Sequence, residues 1–336
     1  MNCVKLGKTG IVTEKNAFGA LPIQRVSTEE AVSLLRKAYD GGMTFFDTAR
    51  AYSDSEEKVG IAFKGMREKI FLASKSAAKN AEGFQKDLET SLKKLQTDYI
   101  DILQLHNPPF VPRPGEEDGL YEAALKAKQE GKIRFIGFTN HKLPLAREAV
   151  QSNLYDTLQF PFNYLSTEEE IQLVKDCKTA DIGFICMKAM SGGLIRNSAA
   201  ICAWLNQYDN ALPIWGIQRE SELDEFLSYI KKPPVLTDAY RKLIENDRRE
   251  LSGQFCRGCA YCMPCPQGIE IWNSARMSLM IRRAPEAAWT TPEWQEKMKK
   301  IESCTNCGAC KAKCPYGLDT PTLLRQNYED YKTFIK

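Results

Sequence analysis

The sequence predicts an α/β protein, a (β/α)8 TIM barrel followed by a small C-terminal domain of helices and loops. Three observations lead there. From residue 16 to about 230, short apolar runs alternate eight times with amphipathic helical stretches. The runs are apolar on both faces, as strands must be when they pack on each other inside and under helices outside. Beyond residue 255 that alternation stops and two cysteine-rich boxes take over. A doubly wound sheet is the competing architecture, but no Gly-x-Gly-x-x-Gly follows a strand run.

The eight runs are NAFGAL (16–21), MTFFD (43–47), KIFLAS (69–74), YIDILQLH (99–106), IRFIGF (133–138), TLQFPF (157–162), IGFICMK (182–188) and LPIW (212–215). Helical patterns lie between them. Two begin with a hydroxyl cap followed by acids, Ser27 with Glu29 and Glu30, and Thr167 with Glu168 to Glu170. Gly41–Gly42 and Gly131 supply C-terminal stops. The barrel is expected over 1–235 and a charged linker helix over 236–254. Residues 255–336 then form a domain with too little apolar content for a strong core of its own.

Composition excludes several classes. With 43% hydrophobic and 26% charged residues, the chain is an ordinary globular one. A formal charge of +3, with no dense basic stripe, speaks against a nucleic-acid partner. No run approaches the length of a membrane span and the start lacks a signal-peptide pattern, so the expected address is the cytoplasm, with no membrane partner.

A barrel of this kind carries its chemistry at the C-terminal ends of its strands. The second run ends in Asp47, with Tyr52 one loop turn later. The third ends near Lys75 and the fourth in His106, one of two histidines in the chain. An acid, a tyrosine, a lysine and a histidine on one rim suit a carbonyl that takes up hydride and needs a proton at its oxygen. In this reading Asp47 holds Lys75, Lys75 lowers the Tyr52 pKa, and His106 orients the substrate oxygen. The stretch FVPRPGEEDG (110–119) follows His106 and is expected to wall the substrate site, where its Phe and Val permit an apolar substrate without identifying one.

These segments resemble the aldo/keto reductase family. TFFDTARAYSDSEEKVG matches the family signature around its Asp and Tyr, LASKS its lysine segment and DYIDILQLHN its histidine segment. TGIVTEKNAFGALP, GKIRFIGFTNH, LQFPFNYL, FICMKAMSGGL and LPIWGIQRESELDEF extend the likeness over residues 5–230. The resemblance implies an NAD(P)-dependent oxidoreductase acting on a small carbonyl or alcohol, with Asp47, Tyr52, Lys75 and His106 as catalytic residues. It places Thr139, Asn140 and Gln159 at the nicotinamide. Lys188, Gly192, Gly193 and Leu194, with Gly216, Arg219 and Glu225, fall along the rest of the dinucleotide. Family members that prefer NADP usually carry Lys and Arg after the eighth strand. Here WGIQRESELDE offers only Arg219 among acids, which leaves NAD against NADP open.

Eight of the twelve cysteines lie between 256 and 314. Clustered at two-residue spacings in a reducing compartment, they read as metal ligands before disulfides. Zinc knots need paired Cys-x2-Cys units with a wider gap. Here three cysteines recur at two-residue intervals and a fourth precedes proline, the spacing of bacterial two-cluster ferredoxins. The C-terminal region resembles that module. The resemblance implies one [4Fe–4S] cluster on Cys256, Cys259, Cys262 and Cys314, and a second on Cys304, Cys307, Cys310 and Cys265. The first box has two residues before Cys265 where the second has three before Cys314, so one corner must be built differently. Cys3, Cys177, Cys186 and Cys202 are expected to be buried packing residues.

Nicotinamide moves electron pairs and a [4Fe–4S] cluster moves single electrons. The clusters could be structural, a flavin bound here or on a partner could split electron pairs, or the barrel could have changed trade, with the clusters reducing a substrate that tolerates radicals. A ferredoxin-like or flavin-containing partner is the expected electron exchanger. The leading expectation is an oxidoreductase coupled to iron–sulfur electron transfer. The alternative is an electron-relay protein or subunit whose barrel is mainly a scaffold and docking surface.

Overall fold

The computed structural model describes residues 2–251, 253–283 and 285–335. A two-stranded antiparallel hairpin, β1 (Cys3–Lys5) and β2 (Val12–Glu14), opens the chain. Eight parallel strands then close a barrel: β3 (Ala17–Gly19), β4 (Phe45–Asp47), β5 (Phe71–Ser76), β6 (Ile100–His106), β7 (Ile133–Thr139), β8 (Thr157–Pro161), β9 (Gly183–Met187) and β10 (Ala211–Gly216). They pair in chain order, and β10 returns to β3. Each coincides with one of the eight apolar runs. The hairpin is absent from the sequence reading because its strands are three residues long, too short to show alternation.

Helices α1 (Thr28–Asp40), α2 (Ser55–Phe63), α3 (Ala81–Leu95), α4 (Leu120–Gln129), α5 (Leu143–Ser152), α6 (Glu168–Thr179), α7 (Ser198–Leu205) and α8 (Glu220–Lys231) alternate with the strands. Ser27 and Thr167 form complete capping boxes with Glu30 and Glu170. Inside the barrel Ala17, Phe45, Ala73, Ile102, Ile185 and Leu212 pack with Val4, Leu6 and Ile11 of the hairpin segment. Gly7 bridges Ile182 just before β9, where a Cβ would lie 2.3 Å from the Asp181 carbonyl oxygen. The hairpin thus plugs the end where strands begin and leaves the other rim for chemistry.

Two compact units emerge. One comprises 1–189 and 199–238, the other 190–198 with 239–336. The stretch read from sequence as a linker forms helix α9 (Asp238–Glu250), and most of it counts with the second unit. There it is held by Arg283, which donates to Asp247 at 2.7 Å and Glu250 at 2.6 Å. The second unit continues with α10 (Ile271–Ser274), α11 (Met277–Arg283), α12 (Pro292–Lys299), α13 (Ala309–Lys313) and α14 (Thr320–Tyr331). Its apolar centre joins Ile269, Ile271, Met277, Ile281, Met298, Ile301, Leu324 and Tyr331. Asn327 ties α14 to α11 by accepting from the Ser278 N–H at 2.8 Å.

Candidate active site and cysteine loops

Strand register brings four residues distant in sequence to one end of the barrel. Asp47 ends β4 opposite Ala73, Lys75 lies two residues further along β5, and Gln104 faces Lys75 on β6 two residues before His106. Lys75 Nζ donates to Asp47 Oδ2 at 2.6 Å and to the Thr48 carbonyl at 2.6 Å, with both charged side chains buried. Gln104 donates to Asp47 Oδ1 at 3.2 Å, and Gln159 also bonds to Asp47. Neither glutamine was read as an Asp47 partner in the sequence. Their signal is an amide placed two residues inside a strand end, on the inward face.

Tyr52 sits in the turn between β4 and α2. Its N–H donates to the Ala49 carbonyl, and the Tyr52 carbonyl accepts from the Ser55 N–H. Arg50 and Thr48 donate backbone N–H groups to Lys75 and Ala73, stitching this loop to β5. The Glu56 carboxylate, buried in α2, pairs with Arg50 and accepts from Ser74 Oγ at 2.7 Å. These contacts set the Tyr52 ring 5.0 Å from Lys75 Nζ at its centroid, and 6.1 Å and edge-on from His106.

The electrostatics correct one expectation. Tyr52 is pushed well above its ordinary pKa, by burial first and by the Asp47 charge second. Lys75 does not lower it, because its ammonium is committed to Asp47. Burial lowers Lys75 against the pull of Asp47, and raises Asp47 against the pull of Lys75. Burial, aided by the Lys75 charge, takes His106 down to about 3, so it is neutral near pH 7. Its Nδ1 is buried with no hydrogen-bond partner.

The residues assigned to the nucleotide are distributed unevenly. Thr139 and Asn140 are buried at the end of β7. The Asn140 side chain is already used, donating to the Pro108 carbonyl and accepting from the Lys142 N–H, both at 2.9 Å. Gln159 keeps a buried Oε1 with no partner. The Lys188 carbonyl accepts from Asn163 at 3.0 Å, and its charge reaches His141. Gly216 ends β10. Arg219 caps α8 and its guanidinium pairs with Glu222. Glu225 accepts from the Tyr229 hydroxyl at 3.0 Å. Gly192, Gly193 and Leu194 lie in the second unit, where the Gly192 carbonyl accepts from Arg276 at 3.0 Å and the Leu194 carbonyl from Arg283 at 2.8 Å. In the 110–119 stretch Val111 is buried and Phe110 exposed.

In the second unit Cys256, Cys259, Cys262 and Cys314 line one cavity. Cys265, Cys304, Cys307 and Cys310 line another, with Cys262 on the border of both. Among the described residues no three His, Cys, Asp or Glu side chains gather tightly enough for a single metal ion. The boxes repeat each other in backbone as well as sequence. Left-handed residues fall second in the first gap and first in the next: Gly258 then Ala260, and Asn306 then Gly308. The corners differ as the spacing requires. The gap from Cys262 to Cys265 holds a cis Met263–Pro264 peptide, whereas the longer gap before Cys314 is the helix α13. The Gly258 N–H donates to Cys256 Sγ at 3.4 Å. Cys177, Cys186 and Cys202 are buried as expected, but Cys3 is exposed.

A family model described as the aldo/keto reductase family matches residues 15–201, more than half the chain. The chain belongs to the aldo/keto reductase family. A second model, the 4Fe-4S dicluster domain, matches 255–319, so this aldo/keto reductase carries a C-terminal domain of that type. The chain is 34% identical over 215 residues to aldo-keto reductase YhdN of Bacillus subtilis, covering 58% of this chain and 64% of that one. It is 29% identical to L-galactose dehydrogenase of Arabidopsis thaliana, over 56% of this chain and 66% of the other. The match therefore spans about two-thirds of the length of these relatives. The barrel fold is shared with a Klebsiella pneumoniae aldo/keto reductase solved with NADP and acetate, at a TM-score of 0.63 and 22% identity, covering 73% of this chain and 94% of that one. Among the described residues no helix is long and apolar enough to cross a membrane.

Proposed function

We propose that this aldo/keto reductase exchanges hydride between NAD(P)H and a small carbonyl substrate, in the direction of reduction. The observation that carries the reading is the buried Lys75–Asp47 pair beneath Tyr52, with His106 edge-on beside it. When bound, nicotinamide supplies the hydride to the substrate carbon. Tyr52 gives its proton to the substrate oxygen as negative charge builds there, and the proton returns from solvent. Burial keeps the resting Tyr52 protonated, which suits a donor and favours reduction over oxidation. Neutral His106 presents an N–H from Nε2 to the same oxygen and fixes its direction. Lys75, paired with Asp47, holds the floor of the site beneath Tyr52, and Gln104 and Gln159 keep Asp47 in place.

Support for nucleotide binding is the unsatisfied Gln159 Oε1 at the rim, an acceptor suited to the carboxamide N–H of nicotinamide. Thr139, Asn140, Lys188, Gly216, Arg219 and Glu225 are proposed as the barrel's further contacts. The preparation is made anaerobically and assayed for iron, sulfide, flavin and bound nucleotide, then given NADH or NADPH with short aldehydes and ketones. Turnover is expected, falling by about 10²–10⁴ in Tyr52→Phe with the visible iron–sulfur absorption unchanged. No nucleotide binding and no turnover across the panel would overturn the reading.

Two [4Fe–4S] clusters are proposed on the two sets of four cysteines lining the two cavities. Four cysteines line each cavity while no three described His, Cys, Asp or Glu side chains gather for a single ion, which suits a larger group, and the N–H donated to Cys256 Sγ suits a thiolate. A bound cluster supplies one-electron chemistry or structural cross-linking.

A further inference from the structure

Arg276 is 4% exposed, yet among the described residues it has no carboxylate partner. Its guanidinium donates to two neutral acceptors, the Gly192 carbonyl at 3.0 Å and Asn273 Oδ1 at 3.2 Å, while Nε is buried with no acceptor at all. A buried cation without an anion is strongly unfavourable, and removal of the partner of such a charge is correspondingly costly. The negative charges that reach Arg276 are those of Cys256 and Cys259. It is also wedged between two glycines. A Cβ at Gly258, inside the first cysteine loop, would lie 2.8 Å from its Cζ, and one at Gly192 would lie 2.7 Å from Nη1. One side of the group thus packs on the cysteine loop and the other bonds to segment 190–198.

We propose that Arg276 is the buried counter-charge of the group held by Cys256, Cys259, Cys262 and Cys314, and that through Gly192 it makes the placement of segment 190–198 depend on that group. This rests on the cluster assignment above. Reduction adds negative charge to a cluster, so a fixed cation beside it favours the reduced form. Arg276 is thus a tuning residue for the group and a positioning residue for segment 190–198.

The test uses the full chain with its clusters, in wild type, Arg276→Met and Arg276→Lys, with spectroscopic redox titration as the readout. In Arg276→Met the reduced-to-oxidised ratio of one cluster at fixed potential is expected to fall about tenfold, which is 59 mV for a one-electron couple. Arg276→Lys is expected to restore most of it, which a merely structural role would not do. Should Arg276→Met fail to load iron, Asn273→Asp neutralises the arginine in place and is expected to give the same fall. Segment 190–198 is expected to exchange amide hydrogens at least about tenfold faster in cluster-free protein and in Arg276→Met than in loaded wild type. Unchanged potentials in loaded Arg276→Met or Asn273→Asp overturn the counter-charge, and equal exchange overturns the coupling. Wild type without iron and sulfide for two clusters overturns the cluster assignment and this inference together.

Discussion

His106 and His141 are the only histidines in the chain, and burial takes both down to about 3. In the unfolded chain they titrate near 6.5. Between those values the unfolded state binds protons that the folded state refuses, so stability is full above pH 6.5 and falls as pH drops below it. The expected loss is about 1.4 kcal/mol per histidine per pH unit. Urea unfolding between pH 7 and 5 measures it, and a His106→Gln, His141→Asn variant should flatten the slope. A wild-type slope equal to the variant's would mean that the fold holds neither ring neutral. At this scale the sequence was legible in residue type and order: Asp47, Tyr52, Lys75 and His106 do converge. Their electrostatics were not legible. The ordinary expectation that a neighbouring lysine acidifies a tyrosine fails here because burial outweighs it and Asp47 takes the ammonium.

At the scale of elements, α8 shows how one helix start sets both a cap and a charge. Glu222 accepts from the Gln218 and Arg219 backbone N–H groups through Oε2 and holds the Arg219 side chain through Oε1. Glu220 and Asp224 of the same helix are engaged by Lys37 of α1. The acidic segment is therefore partly neutralised, yet its one arginine is occupied. An exposed pair of this kind is worth about 0.2–1 kcal/mol. Glu222→Gln should accordingly raise the kcat/KM ratio of NADPH over NADH by about two- to fivefold, leaving NADH turnover near wild type. An unchanged ratio would place Arg219 away from the 2′-phosphate. The barrel strands were readable because each is a short apolar run bounded by turn residues. Segment 190–198 was not, because its allegiance to the second unit is carried by backbone carbonyls that Arg276 and Arg283 seek out, and carbonyls leave no mark in a sequence.

For the molecule as a whole, the two units differ in what sustains them. The barrel has a continuous interior of large apolar side chains closed by its hairpin. The second unit has short helices, a modest apolar centre and two cysteine-lined cavities. Chelation of iron is therefore expected to loosen one unit alone. Amide exchange over α11 to α14 should accelerate at least about tenfold in stripped protein, while β6 and β7 stay within about twofold. Equal protection in both states would show that the helices support themselves. This division was partly visible beforehand, in the poverty of apolar residues after 255.

The crossed lining of the two cavities has a temporal side. Cys314 completes the set begun by Cys256, and Cys265 completes the set begun by Cys304. During synthesis the first box emerges with three thiols of its own set and one, Cys265, that belongs to the other, and Cys314 follows well after them. Neither set of four can be finished in isolation. On the cluster assignment proposed above, neither centre can be completed until the second box has been made and has met the first.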